Sequence, residues 1–322
     1  VTARASHRLL PDGRRLHLQH GPIDIIAEAE GAAGEVVTAY RQAVARFETI
    51  LEELVAELPV LRSAIVAGEC PLSGAVARTM WSATNPYATA LATPHFVTPM
   101  AAVAGAVADA VLASMIEGRE LDRAYVNNGG DIALHLPANA KPFNLAIVVN
   151  PEQPASPGAV SISPLRGVGG VATSGWKGRS FSLGIADSVT AFASTAAQAD
   201  VAATIIANAI DLPCNPAIVR QPAAMLAPDS DLGERLVTVA VGTLSEAEID
   251  LALAAGEERT FELVQAGLIK GALLVLKNIV RVVGDTPPEI VAVSSPRTAP
   301  ALKGPLHASK GADWDRGKSW RE

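Results

Sequence analysis

Aromatic side chains are scarce: Phe, Trp and Tyr together make only 4% of 322 residues, so the core must be built from Ala, Val, Leu and Ile. Cysteine is nearly absent. Cys70 and Cys214 have no paired spacing, which argues against a zinc site or a disulfide and for reduced structural thiols in a reducing compartment. Positive charge is also short. With 26 Lys and Arg against 33 Asp and Glu, the net charge is −7 and no basic stripe stands out, so nucleic acid is not expected as a partner. No apolar run is expected to reach the roughly 18 residues that span a bilayer. The N-terminal stretch VTARASHRLLPDGRR has neither an apolar core nor a cleavage signal. A cytoplasmic protein without a membrane partner is the expectation.

What is present concentrates in residues 169–210, GGVATSGWKGRSFSLGIADSVTAFASTAAQADVAATIIANAI. A run of small residues ends in Thr173-Ser174-Gly175, whose amides and hydroxyls can approach an anion closely. Asp187-Ser188-Val189-Thr190-Ala191-Phe192 alternates polar and apolar, the period of a strand. A small-residue helix is predicted over 196–209. It carries Asp200 and Thr204 at i and i+4, so both oxygens leave one face. That pair is a hard-oxygen half-site for magnesium, which takes few protein ligands and fills its shell with phosphate and water. Such pairs also arise by chance on many helices.

The rest of the chain reads as strands and helices. Residues 8–10 and 15–19 flank Pro11-Asp12-Gly13 as a hairpin, with a third strand over 23–29. His17 and His20, three apart on a strand, point to opposite faces. They make a poor metal pair and read as solvated or interface histidines. Val37, Tyr40, Val44, Phe47, Leu51, Leu54 and Leu58 recur every three or four residues as an amphipathic helix stopped by Pro59. Its seam packs on a sheet or, alternatively, forms a homodimer. Segment 84–96 is bounded by prolines and reads as a loop, with His95 as its one residue suited to acid–base work. Thr98, Pro99 and Gly118 bracket a helix that is apolar on both sides, so its Asp109 must have partners.

Ala124-Tyr125-Val126 runs as a strand into Asn127-Asn128-Gly129-Gly130-Asp131, where the glycines permit positive φ and close approach. An ordinary hairpin turn and a ligand contact both fit that pattern. Further strands are predicted over 143–149, 159–162 and 236–241. Ser245 and Glu248 read as a capping box, and 268–283 as a hairpin broken near Lys277-Asn278. These elements predict an α+β fold with β-sheets packed against helices, a single domain or two intimately packed lobes over 1–284, and a Pro/Gly/Ser-rich tail over 285–322 that holds Trp314 and Trp320.

The motifs fall in a telling order: Gly105 with Asp109, Asn127-Asn128-Gly129-Gly130-Asp131-Ile132, Ala172-Thr173-Ser174-Gly175, Asp187 with Thr190, and Ala199-Asp200 with Thr204. This resembles the ApbE family, the FAD:protein FMN transferases, over roughly residues 101–210, about a third of the chain. The wording GRSFSLGIADSVTAFA and ADVAATIIANAI is similar to an uncharacterised, cytoplasmic branch of ApbE-like proteins. The resemblance implies an ApbE-like fold, FAD or FMN as a small-molecule nucleotide ligand, and Mg²⁺ on Asp200 and Thr204. It implies nucleotide contacts at Gly105, Asp109, Asn127, Gly129, Gly130, Asp131, Thr173, Ser174 and Gly175, and catalytic roles for Asp187 and Thr190. Many ApbE transferases are exported lipoproteins; this chain shows no export segment, which again favours the cytoplasm.

Two departures divide the functional expectation. The Lys that precedes the family's Gly is Ala104 here, and the His before its D-P-x-T-G motif is Gly184, with Ser188 and Ala191 in place of Pro and Gly. A cation that could meet a diphosphate and an acid–base group are thereby lost. One expectation is a magnesium-dependent enzyme that cleaves FAD and transfers FMN to a Thr or Ser hydroxyl or to water. The second is a protein that binds flavin or another nucleotide without turnover; the third is a different small-molecule enzyme on the same scaffold. His95, His135 or Arg179 near Asp200 would favour chemistry, and an apolar wall there would favour binding alone.

Overall fold

The computed structural model describes residues 4–66, 68–89, 96–147, 158–284 and 289–291. Strands β1 (Ser6–Leu9), β2 (Leu16–His20) and β3 (Ile23–Gly31) precede α1 (Ala33–Ala56), the short α2 (Leu58–Leu61) and α3 (Ala75–Thr89). A 3-10 turn, Pro99–Ala102, leads into α4 (Val103–Ile116). Then come β4 (Leu121–Asn128), β5 (Asp131–His135), β6 (Phe143–Ile147), β7 (Gly158–Ile162), β8 (Gly170–Ser174), β9 (Ser188–Ala193) and α5 (Ala196–Ala209). The chain closes with β10 (Ile218–Pro222), α6 (Ala223–Leu226), β11 (Leu236–Val241), α7 (Glu246–Gln265), β12 (Gly271–Leu276), β13 (Ile279–Val283) and β14 (Glu289–Val291).

The fold is α+β. An antiparallel sheet in the order β1-β2-β3-β4-β5-β8-β9-β12-β13 carries helices on one face and a small sheet, β14-β7-β6, on the other. Alternation along each strand sorts side chains between the layers. Val189, Ala191, Ala272 and Leu274 join the core beneath α4, α5 and α7, while Phe192, Leu273 and Val275 pack with Phe143, Val160 and Ile162 of the small sheet. Strands covered on both faces read as continuous apolar runs, and every residue of β9 and β12 is buried.

Small residues set the helix spacing. A Cβ on Gly105 of α4 would overlap the Ala196 carbonyl of α5, so only glycine permits this crossing. The Asp109 carboxylate, on the same face of α4, accepts the Ala196 and Ala197 amides at 2.9 Å each. Thr195 accepts the Gln198 amide. Three of the orphan donors at the start of α5 are thus satisfied. Asp109→Ala should therefore cost about 1–3 kcal/mol, the penalty for stranding buried donors. Urea denaturation measures it, and a loss below about 0.5 kcal/mol would show the cap to be dispensable.

Several expectations are corrected. Pro99–Ile116 is an 18-residue stretch of mean hydropathy 1.7, long and apolar enough by composition to cross a membrane. It packs against α1, α5 and β4 and spends Asp109 on α5, as a core helix does. Helix α3 includes Thr84 to Tyr87 with Pro86 inside it, so that part of 84–96 is not loop, and His95 lies outside the described residues. The seam of α1 is rotated: Ala39, Ala43, Phe47, Ile50 and Leu54 are buried and Val37 is half exposed, because the alanines allow close approach to its neighbours. His20 is buried edge-on to Phe47 rather than solvated. Residues 289–291, expected in the tail, pair with β7. Trp314 and Trp320 lie outside the described residues.

Other expectations hold. Ser245 and Glu248 form a reciprocal capping box on α7, and β12 and β13 turn at Lys277 and Asn278, both at positive φ.

Candidate functional site

The long sheet is weakest between β5 and β8, where the ladder holds only at Ile132 with Val171 and Ala133 with Gly170. Just before Ile132 lies the β4–β5 turn. Gly129 and Gly130 sit at φ +65° and +118°, and Asn127 Oδ1 accepts the Gly130 amide at 2.8 Å. Asn128 Nδ2 donates to the Ala104 carbonyl at 3.0 Å, tying the turn to the start of α4. A cavity of about 540 Å³ opens here, bordered by this turn, β8, β9, α5 and the small sheet.

One end of the cavity is polar. Asp200 Oδ2 accepts the Gly105 amide at 3.0 Å, and the Ala104 amide also bonds to this carboxylate. Asp131 receives the Thr173 amide. Both carboxyls lie deep in the protein with part of their surface on the cavity, and both are raised above the usual carboxylate range. Burial is the main cause at each. At Asp200 the charge of Asp131 adds to it, and at Asp131 the amide bond and Arg179 oppose a shift that reaches about 7. Two carboxylates so placed do not both ionise without a compensating cation. Thr204 lines the same end one turn beyond Asp200, and the Thr173 and Thr190 hydroxyls meet at 2.9 Å.

The other end is apolar, formed by Ile132, Leu145, Val160, Val171 and Phe192. Arg179 lies beside the glycine turn and near Asp131. Its guanidinium rests over Gly129, where any Cβ would overlap it. Among the described residues, Arg179 is the one cation in the lining, and no histidine, lysine or cysteine joins it.

Of the residues singled out in the sequence, Asn127, Gly129, Gly130, Asp131, Thr173, Ser174, Gly175, Thr190, Asp200 and Thr204 all border this cavity. Gly105 stands behind it and holds Asp200 through its amide. Asp109 is spent on α5. Asp187 does not line the cavity: its carboxylate accepts the Lys277 amide at 2.6 Å and lies 3.7 Å from the Lys177 ammonium. Gly184 is likewise outside, packed against the end of α5. Ala104, where the family carries Lys, does border the cavity. His135 is half-buried with its pKa lowered by burial, and it does not reach the cavity. Sequence reasoning named Arg179 only as a conditional partner and missed the apolar wall; the GWKGRS run carries the one signal, a cation among glycines. Among the described residues no three His, Cys, Asp or Glu converge as a metal cluster, so a cation here would rely on a hydroxyl and ligand oxygens.

The model of the family described as AbpE bacteria matches residues 7–285. A UPF0280 protein of Methanothrix thermoacetophila is 32% identical over 188 residues, covering 58% of this chain and 74% of that protein. A UPF0280 protein of Methanopyrus kandleri is 35% identical over 177 residues, covering 54% and 66%. Among solved structures, a variant of the flavin transferase ApbE of Vibrio cholerae aligns with a TM-score of 0.45 at 14% identity, covering 91% of this chain and 98% of that one. The ApbE protein of Thermotoga maritima aligns with a TM-score of 0.43 at 12% identity, covering 87% and 96%. The chain belongs to the AbpE bacteria family.

Proposed function

We propose that this member of the AbpE bacteria family binds a flavin nucleotide, FMN or FAD, in the cavity at the β5–β8 joint, with Mg²⁺ at its acidic end. The observation that carries the reading is one cavity of about 540 Å³ that joins an apolar wall to an arginine and a buried acid pair. That size falls in the usual range for small-molecule sites. An isoalloxazine ring suits the wall of Val160, Val171 and Phe192, and a phosphate suits Arg179.

The acid pair fits the cation. Asp131 and Asp200 are raised chiefly by burial, with the charge of Asp131 adding to the shift at Asp200, and Thr204 adds a neutral oxygen on the Asp200 face. Bound there, Mg²⁺ would neutralise a diphosphate and stabilise charge developing on its oxygens. The protein's own groups position and hold. Gly105 and Ala104 amides fix the Asp200 carboxylate, and the Thr173 amide fixes Asp131. Without a cation the pair retains a proton near neutral pH.

Arg179 shares the cavity with Asp200 and favours chemistry by meeting a phosphate, but among the described residues the lining holds no histidine or lysine to serve as acid–base group, so FAD cleavage and FMN transfer proceed slowly or not at all. Loss of a general acid–base group typically forfeits about 10²- to 10⁴-fold in rate. The test is the absorbance spectrum of the purified protein, mass spectrometry of what denaturation releases, and FMN release from added FAD with Mg²⁺. Bound or saturably binding FMN or FAD is expected, with turnover well below about 1 s⁻¹. Failure of both flavins to bind would end the proposal.

Arg179→Ala separates phosphate recognition from ring recognition. It should weaken FMN and FAD by about 10- to 100-fold, the worth of a charge-assisted hydrogen bond, and leave riboflavin unchanged. Flavin fluorescence titration measures all three ligands. An equal loss for riboflavin would place Arg179 elsewhere than on the phosphate.

A further inference from the structure

A second cavity, of about 490 Å³, lies on the far side of α5. Asp200 and Thr204 border the first cavity, whereas Ile205, Asn208 and Ala209 border this one. At about 100° per residue, Ile205 and Ala209 leave the helix nearly opposite Asp200, so α5 is the wall between the two.

Three arginines from separate elements converge here: Arg220 of β10, Arg235 just before β11 and Arg259 of α7. Against them stands one acidic lining residue among those described, Asp211, already bound to Arg220. Arg259 donates to Glu262 at 2.6 Å through Nη1, while its buried Nε has no hydrogen-bond partner. Arg235 makes no side-chain hydrogen bond or ion pair with a described residue; its guanidinium carbon stands 3.2 Å from the Phe96 ring centroid. Asn208 Oδ1 accepts the Ser182 hydroxyl and the Leu183 amide, so its side-chain NH₂ remains a donor. The cavity is rich in donors and positive in a chain of net charge −7. Its other walls, from Leu183, Ile205 and Leu236, are apolar.

We propose that this cavity is an oxyanion site, which takes a small ligand by a phosphate or carboxylate head on Arg235, Arg259 and Asn208 and packs its apolar body on Leu183, Ile205 and Leu236. Guanidinium forks match the geometry of both head groups. Phe96 holds the Arg235 plane in advance, which lowers the ordering cost of binding.

The test is calorimetric titration of the full chain with inorganic phosphate and, separately, with citrate, at low ionic strength in a buffer free of other oxyanions. Saturable binding is expected, weakened on the order of tenfold or more by Arg235→Gln. Arg235 is exposed, so this variant should keep the fold, and a thermal melt checks that it does. The Arg235-dependent binding should persist in Arg179→Gln, which can remove only anion held in the first cavity. Tighter phosphate identifies a phosphoryl ligand and tighter citrate a carboxylate one; either supports the site. No saturable binding of either anion, unchanged affinity in Arg235→Gln, or loss of all saturable binding in Arg179→Gln overturns it.

Discussion

Asp200→Asn should lower magnesium affinity by about 100-fold or more and flatten the pH dependence of stability. The carboxylate is fixed by the Gly105 and Ala104 amides and is raised by burial, then by the charge of Asp131. Loss of even an outer-shell partner typically costs about 10- to 100-fold in metal affinity, and a direct ligand costs more. The sign of the pH effect follows from linkage. An acid whose folded pKa is raised binds its proton more tightly folded than unfolded, so its contribution is full below the unfolded pKa and is lost as pH rises through the folded one. For Asp131 that window runs from its ordinary 3.8 to about 7. The metal-free wild type should therefore be more stable near pH 5 than near pH 8, by at most roughly 3 kcal/mol from this group. Magnesium should recover the loss near pH 8 by favouring the ionised pair. In Asp200→Asn the raised Asp200 carboxyl no longer titrates while burial still raises Asp131, so the pH slope should shrink without vanishing and the magnesium response should shrink with it. Thermal melts across this range, with and without Mg²⁺, measure both. A variant that responds to magnesium as the wild type does would remove Asp200 from the metal site.

Asp200 and Thr204 were legible in the sequence because helix geometry relates i to i+4 without further information. The glycine turn at 129–130 was legible as a close-approach point, although not as the place where β5 and β8 cease to pair. That gap depends on which strands neighbour each other, and β5 and β8 are separated by the excursion into the small sheet. The apolar wall was hidden for the same reason: Leu145 and Val160 reach the cavity only because β6 and β7 fold over the outer face. Asp109 and Asp187 show the opposite failure. From their places in motifs Asp109 was read as a nucleotide contact and Asp187 as a catalytic group, but each carboxylate accepts backbone amides, Asp109 at the start of α5 and Asp187 at Lys277. A motif specifies that an acceptor is needed and leaves open whether the donor is a ligand or the chain itself.

Gly184→His should prevent folding or cost more than about 3 kcal/mol, although the motif comparison places a histidine there. A Cβ at this position would overlap the Ala207 carbonyl oxygen and come within 2.7 Å of the Ile210 carbonyl and 3.0 Å of Asn208 Cα. All three are backbone atoms at the end of α5, so no rotamer change relieves the clash. Ile185 donates to the same Ile210 carbonyl at 2.8 Å, and this pins the two segments together. Relief would require α5 to move, and α5 carries Asp200 and Thr204 and fills the space between both cavities. Against a typical total stability of about 5–15 kcal/mol, such a loss unfolds much of the population. Ala104→Lys tests the other departure under opposite conditions. Ala104 borders the first cavity beside Gly105, so a lysine there has open space and faces the acid pair. It should fold normally and tighten FMN and FAD. Urea denaturation of the two variants, followed by flavin titration of whichever folds, separates the positions. A Gly184→His protein of wild-type stability would show that the packing at the end of α5 is not as tight as its carbonyls imply.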